Sequence, residues 1–72
     1  GEATNNIAEY RAALWGLQHA KELHANSVLL RADSELLIKQ LNGEYRVKAK
    51  DLKPLFSQIQ SIITFFEEFK VE

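Results

Sequence analysis

Apolar residues recur at helical spacing in three stretches of the chain, and two shorter stretches read as strand. Ile7, Tyr10, Ala13, Leu14, Leu17 and Ala20 repeat at three- and four-residue steps, the period of one helix face. The spacing predicts a first helix from about Ile7 to His24. Asn6 is its natural N-cap, because its side-chain oxygen can accept from the backbone N–H of Ala8 or Glu9. Ala8, Ala12 and Trp15 form a second apolar strip away from the main face, which predicts a buried, central helix. Gly16 interrupts that helix at a cost of about 1 kcal/mol relative to alanine. A glycine kept there predicts close packing against another element.

Asn26-Ser27 breaks the helical pattern. Val28-Leu29-Leu30-Arg31-Ala32 is short, β-branched at its start and mostly apolar, so it reads as a strand. Asp33-Ser34 is a helix start signal directly after it. Leu37, Ile38 and Leu41 give the next helix one apolar side, and Asn42-Gly43 ends it. Leu52, Leu55, Phe56, Ile59, Ile62, Ile63 and Phe66 mark a last, strongly amphipathic helix. Asp51 is its candidate cap. Pro54 is tolerated because it lies in the first turn, where its missing N–H has no helical partner. Glu67-Glu68 oppose the helix dipole and predict that it stops there. Phe69-Lys70-Val71-Glu72 alternates like the opening of a strand. A helix, a buried strand and two further helices are a piece of an α/β domain whose sheet needs more strands.

Composition narrows the function classes. Seventy-two residues are one domain or less, and a chain this short buries only about 60% of its unfolded surface. There is no cysteine, which excludes disulfides and thiolate metal sites and fits a reducing compartment such as the cytoplasm. There is no methionine, so the sequence does not open on a start codon. No apolar run approaches the roughly 18 residues of a membrane span, and no signal peptide is visible. The net charge of −1 gives no global attraction to nucleic acid, so any such binding needs a local patch. His19 and His24 are too far apart for a ligand pair one helical turn apart and read as helix-surface residues.

Two carboxylates stand out by position. Glu9 sits at the edge of the first helix face, about 80–100° from its centre at ~100° per residue. With Asn6 as cap it falls at the capping-box position, which is one reading of it. Asp33 ends a buried strand, where α/β folds gather their sites, and could equally be the cap of the second helix. Hard divalent cations prefer carboxylate oxygens and keep several waters. Phosphodiester hydrolysis with two such ions needs acids converging from different elements. A helix acid and a strand-end acid can meet in that way.

Ala3-Thr4-Asn5-Asn6-Ile7-Ala8-Glu9-Tyr10-Arg11-Ala12 resembles the helix-opening motif of bacterial and archaeal type 1 ribonuclease H. Arg31-Ala32-Asp33-Ser34-Glu35-Leu36-Leu37-Ile38-Lys39-Gln40-Leu41 resembles the second acidic motif of that family. Asn42-Gly43-Glu44-Tyr45-Arg46-Val47-Lys48, then Leu52-Lys53-Pro54-Leu55, resembles the stretch the family carries after that motif. The matches keep family order and spacing. The resemblance implies an α/β fragment of the ribonuclease H-like fold over residues 1–72: central helix, one parallel-type strand, short helix, long amphipathic helix and the start of a further strand. It implies a domain lacking the N-terminal strands and the C-terminal acidic motif. It also implies Mg²⁺, with Mn²⁺ able to substitute, and hydrolysis of the RNA strand of RNA–DNA hybrids. Glu9 and Asp33 then match two of the family's four catalytic, metal-binding carboxylates. With half of that set, the isolated fragment is expected to be inactive. Thr4 matches a residue that holds a DNA-strand phosphate, and Asn5 and Asn6 match the pair that contacts the minor groove. Glu35 departs from the glutamine of many members; as an anion it repels phosphate and cannot donate, so no groove contact is expected of it. Arg46 and Lys48, with Lys39, Lys50 and Lys53, form a basic stretch. It is a candidate for phosphate contact, or a solvated connection.

Two other readings stay open at this point: a non-catalytic nucleic-acid-binding or assembly module of the same fold, and a helix-rich interaction protein. An apolar helix face without a full sheet over it, and an unpaired strand edge, also predict a homo-oligomer, a strand-swapped pair or dependence on complementary segments of the same domain.

Overall fold

In the computed structural model, residues 2–72 are described, with side chains from Asn5 onward. Helix α1 spans Glu2–Glu22, strand β1 Ser27–Leu30, helix α2 Glu35–Leu41, helix α3 Lys53–Ile63 and strand β2 Glu68–Val71. The two strands pair in parallel, with Ser27 opposite Glu68 and Leu30 opposite Val71. Parallel pairing requires a long crossover, and α2 and α3 supply it. The fold class read from the sequence is the one observed.

The strand pattern explains which face of the sheet is covered. Alternate residues of a strand point to opposite faces. Val28 and Leu30 of β1, and Phe69 and Val71 of β2, turn inward, whereas Leu29 is 51% exposed. The inward face packs on a core made by Tyr10, Ala13, Leu14 and Leu17 of α1, with Leu37, Ile59 and Phe66. Helix α1 crosses α3 and touches α2. Leu17, Leu37 and Ile59 are fully buried, each worth roughly 1.5–3 kcal/mol of transfer free energy.

Helix α1 starts earlier than the sequence pattern predicts. Asn6 lies inside it rather than capping it, so Glu9 is not in a capping box. Its C-terminus is closed by a Schellman motif. The His24 N–H donates to the Lys21 carbonyl at 3.0 Å, and the Ala25 N–H to the Ala20 carbonyl at 3.1 Å. His24 has φ 59°, so it lies beyond the helix in the left-handed region. Helix α2 ends in the same way. The Gly43 N–H donates to Gln40 and the Glu44 N–H to Lys39, with Gly43 at φ 82°.

Ser34, not Asp33, caps α2: its Oγ accepts from the Leu37 N–H at 3.2 Å. Asp51 does not cap α3 either. A turn in which the Ala49 carbonyl accepts from Leu52 and Lys53 leads into that helix. Phe66 lies past the end of α3 but is buried, so its match to the helical spacing reflects the core rather than the helix.

The second apolar strip of α1 is not covered by any described residue. Ala8 and Ala12 are exposed, and Trp15 is 68% exposed and stacks on the ring of exposed His19. Gly16 is also exposed, and a Cβ there would meet nothing within 4 Å. The close packing expected at Gly16 is therefore absent among the described residues.

Candidate active site

Glu9 and Asp33 reach one cleft from different elements. Glu9 lies in the second turn of α1 and is half-buried. Asp33 is exposed in the connection between β1 and α2. Because Ser34 takes the capping role, the Asp33 carboxylate is released from it. The open cleft of about 460 Å³ is lined by these two acids with Arg31, Ala32 and Glu72. Glu72 is held there by backbone bonding that continues the strand ladder. The Glu72 N–H donates to the Leu30 carbonyl at 2.9 Å, and the Ala32 N–H to the Glu72 carbonyl at 3.0 Å. Arg31 Nε lies 3.3 Å from Glu72 Oε1.

Two carboxylates on one cleft are the donor chemistry a hard divalent cation accepts, since Mg²⁺ keeps most of its waters and takes one or two protein oxygens. Among the described residues, no group of three or more His, Cys, Asp or Glu side chains is arranged to hold a metal ion. Glu9 and Asp33 share the lining of the cleft without forming such a group. His19 and His24 are exposed and belong to no such group.

A second groove of about 370 Å³ flanks the first along α1, one turn before Glu9. Half-buried Asn6 lines it with Leu36, Gln40, Arg46 and Lys48. Asn5 is exposed and lines neither cleft. The Thr4 side chain lies outside the described residues. Arg46 and Lys48 are exposed cations on the rim of this groove. Lys39 is differently engaged. It pairs with Glu35 at 3.4 Å and donates to the Tyr45 hydroxyl at 3.4 Å, and that hydroxyl, then the Glu35 charge, raise its pKa above the ordinary lysine value. Glu35 is thus turned to Lys39 on the surface of α2.

Sequence reasoning missed Gln40 and Arg31. Gln40 is the one buried polar residue among those described, at 4% exposure. Its Oε1 accepts from the Tyr10 hydroxyl, and its Nε2 donates to the Arg46 carbonyl at 3.2 Å. The bond ties the basic connection to α1 through α2. The signal available was a polar residue three positions after Leu37, on the apolar side of the helix. Arg31 gave no local signal, because its neighbour Glu72 arrives through strand pairing.

The chain is thus an α/β unit with a parallel strand pair, and a helix acid and a post-strand acid line one cleft. The whole chain, residues 1–72, matches the family described as reverse transcriptase-like. The chain belongs to that family, and the relatives it resembles include type 1 ribonuclease H proteins.

It is 39% identical over 72 residues to the bifunctional protein Rv2228c of Mycobacterium tuberculosis, covering 100% of this chain and 20% of that protein. It is 34% identical over 71 residues to ribonuclease HI of Halobacterium salinarum, covering 99% of this chain and 36% of that protein. The fold superimposes on the N-terminal RNase H domain of Rv2228c, solved as a fusion with maltose-binding protein, with TM-score 0.92 at 37% identity. It superimposes on ribonuclease H1 of H. salinarum with TM-score 0.88 at 31% identity. In each case the superposition covers 94% of this chain and 52% of the other, so the chain spans about half of each solved structure and less of the curated relatives.

Proposed function

We propose that this chain is part of a Mg²⁺-dependent endoribonuclease that hydrolyses the RNA strand of RNA–DNA hybrids. The observation that carries the reading is the convergence of Glu9 and Asp33 on one cleft in a chain of ribonuclease H-like fold. Both carboxylates would hold the metal, which when bound supplies charge stabilisation and activates water. The chain's own part is to fix two oxygen donors on rigid supports. Glu9 rides on α1, anchored by buried Tyr10 and Leu14, and Asp33 is set by the end of β1 and the Ser34 cap. Beside them lies a mainly apolar groove that also holds Asp51; its polar edge, Asn6, Arg46 and Lys48, would meet the sugars and phosphates of a hybrid, which is recognised through 2′-hydroxyls, phosphates and shape. Asn5 and Thr4 would extend that contact along the start of α1. The 72 residues by themselves supply two of the four family carboxylates that the resemblance implies and are expected not to cleave.

The test uses the full-length protein containing this chain, assayed on a hybrid with Mg²⁺. Glu9→Gln and Asp33→Asn should each reduce cleavage by roughly 100-fold or more, because a metal ligand carries several kcal/mol of charge stabilisation. Circular dichroism should be unchanged. A well-folded Glu9→Gln protein with full activity refutes the assignment.

A further inference from the structure

We propose that Arg31 is a phosphate-binding residue of the acidic cleft, held beside Asp33 by Glu72 until a nucleic-acid strand enters. The inference rests on the nuclease reading and adds a residue to it. Glu9, Asp33 and Glu72 bring three carboxylates to the cleft, and Arg31 is the only cation lining it among the described residues. An anionic backbone approaching three carboxylates meets repulsion that a guanidinium at the same mouth offsets.

The geometry of the Arg31–Glu72 pair suits exchange rather than permanent closure. The contact is made through Nε at 3.3 Å, and the side chains are 78% and 62% exposed. It therefore engages one edge of the guanidinium, and other N–H donors of its fork stay available to an oxygen acceptor. Exposed pairs of this kind are weak and screened by salt. Phosphate, by contrast, accepts a bidentate guanidinium with two parallel charge-assisted bonds. The bases of both side chains are fixed. The Ala32 N–H to Glu72 carbonyl bond and the Glu72 N–H to Leu30 carbonyl bond lock the two backbones side by side. Arg31 can thus change partner by side-chain rotation alone, two positions from Asp33. The ligand is a non-bridging phosphate oxygen of the strand next to the acids. Arg31 binds and does not react, and Glu72 competes with the phosphate for it.

Opposite effects of the two partners test the idea in the full-length protein with a short RNA–DNA hybrid. Arg31→Gln should raise KM roughly tenfold with kcat nearly unchanged, and reduce the salt slope of hybrid binding by about 1. Arg31→Lys, which keeps the charge and loses the fork, should restore the salt slope and part of the affinity. Glu72→Gln should free Arg31 and lower KM. If the pair serves only to brace the strand ends, Arg31→Gln and Glu72→Gln shift activity in the same direction, and the proposal fails. An unchanged salt slope in Arg31→Gln also overturns it. A wild-type protein that neither binds nor cleaves hybrid removes the nuclease reading and this inference together. A wild-type protein that cleaves, with Arg31 variants equal to it, removes this inference alone.

Discussion

The Tyr10 hydroxyl donates a hydrogen bond to Gln40 Oε1 across 30 positions of chain, joining α1 to the end of α2 inside the core. Gln40 passes the connection on to the Arg46 carbonyl. Both residues are buried, so each removed partner leaves a polar atom without water. Tyr10→Phe should lower stability by about 1–3 kcal/mol, the cost of an orphaned buried acceptor. Gln40→Leu should cost a similar amount. The double variant should lose less than the sum of the two, and urea denaturation of the four proteins measures the coupling. Strict additivity would mean that the bond contributes nothing as a pair.

Burial pushes the Tyr10 hydroxyl up to about 12 from its usual 10. The folded state therefore holds the proton more tightly than the unfolded one. Its contribution is complete below pH 10 and is lost as pH rises through the interval up to about 12. The loss is on the order of 2 kcal/mol. Thermal melts across that range should fall more steeply for the wild type than for Tyr10→Phe, whose ring does not ionise. Equal slopes would place the tyrosine in a more polar setting than the fold provides.

Two Schellman motifs with different residues at the left-handed position make an internal comparison. His24 stands where Gly43 stands in the other, at φ 59° and φ 82°. A side chain in that region costs roughly 1–2 kcal/mol, of which glycine's greater unfolded freedom returns roughly 0.5–1. His24→Gly should thus stabilise by roughly 0.5–1 kcal/mol, and Gly43→Ala should destabilise by a similar amount. Nothing lies within 4 Å of a Cβ built at Gly43, so the cost there is conformational and not steric crowding by neighbours. Differential scanning calorimetry reads both. A destabilised His24→Gly would show that the imidazole itself holds the turn.

Arg46 and Lys48 line the Asn6 groove, whereas Lys39 does not and lies against Tyr45 and Glu35 on the surface of α2. In the full-length protein, Arg46→Gln and Lys48→Gln should each weaken hybrid binding and reduce its salt slope by about 1. Lys39→Gln should leave the slope unaltered. Fluorescence anisotropy over a salt series separates these outcomes, and an equal response from all three would mean a diffuse electrostatic effect.

Local chemistry made much of the fold readable. Asn42-Gly43 announced the end of α2, and the spacing from Leu52 to Ile63 announced α3. The alternation beginning at Phe69 anticipated β2. Glu9 and Asp33 were legible as candidates through the family resemblance of the motifs around them, since by placement alone each had the chemistry of a helix cap. What failed was whatever depended on a distant partner. Asn6 has the chemistry of a cap, but α1 begins before it. Asp33 and Ser34 are both good caps, and only the path of the chain out of β1 selects Ser34. Trp15 and Gly16 suggested a buried second face, and no described residue covers them. Arg31 acquires its neighbour only when Glu72 is brought alongside Leu30.

That last dependence has a kinetic side. Ser27 and Glu68 are 41 positions apart, and no rung of the ladder exists until that loop has closed. The helices can form from local interactions in microseconds or less, ahead of this long-range step. The wall that Glu72 contributes to the acidic cleft therefore arrives with a long-range contact and not with the local helices. Any substitution that delays strand pairing, such as proline in β2, should delay the appearance of a finished cleft by the same factor while leaving early helix formation untouched.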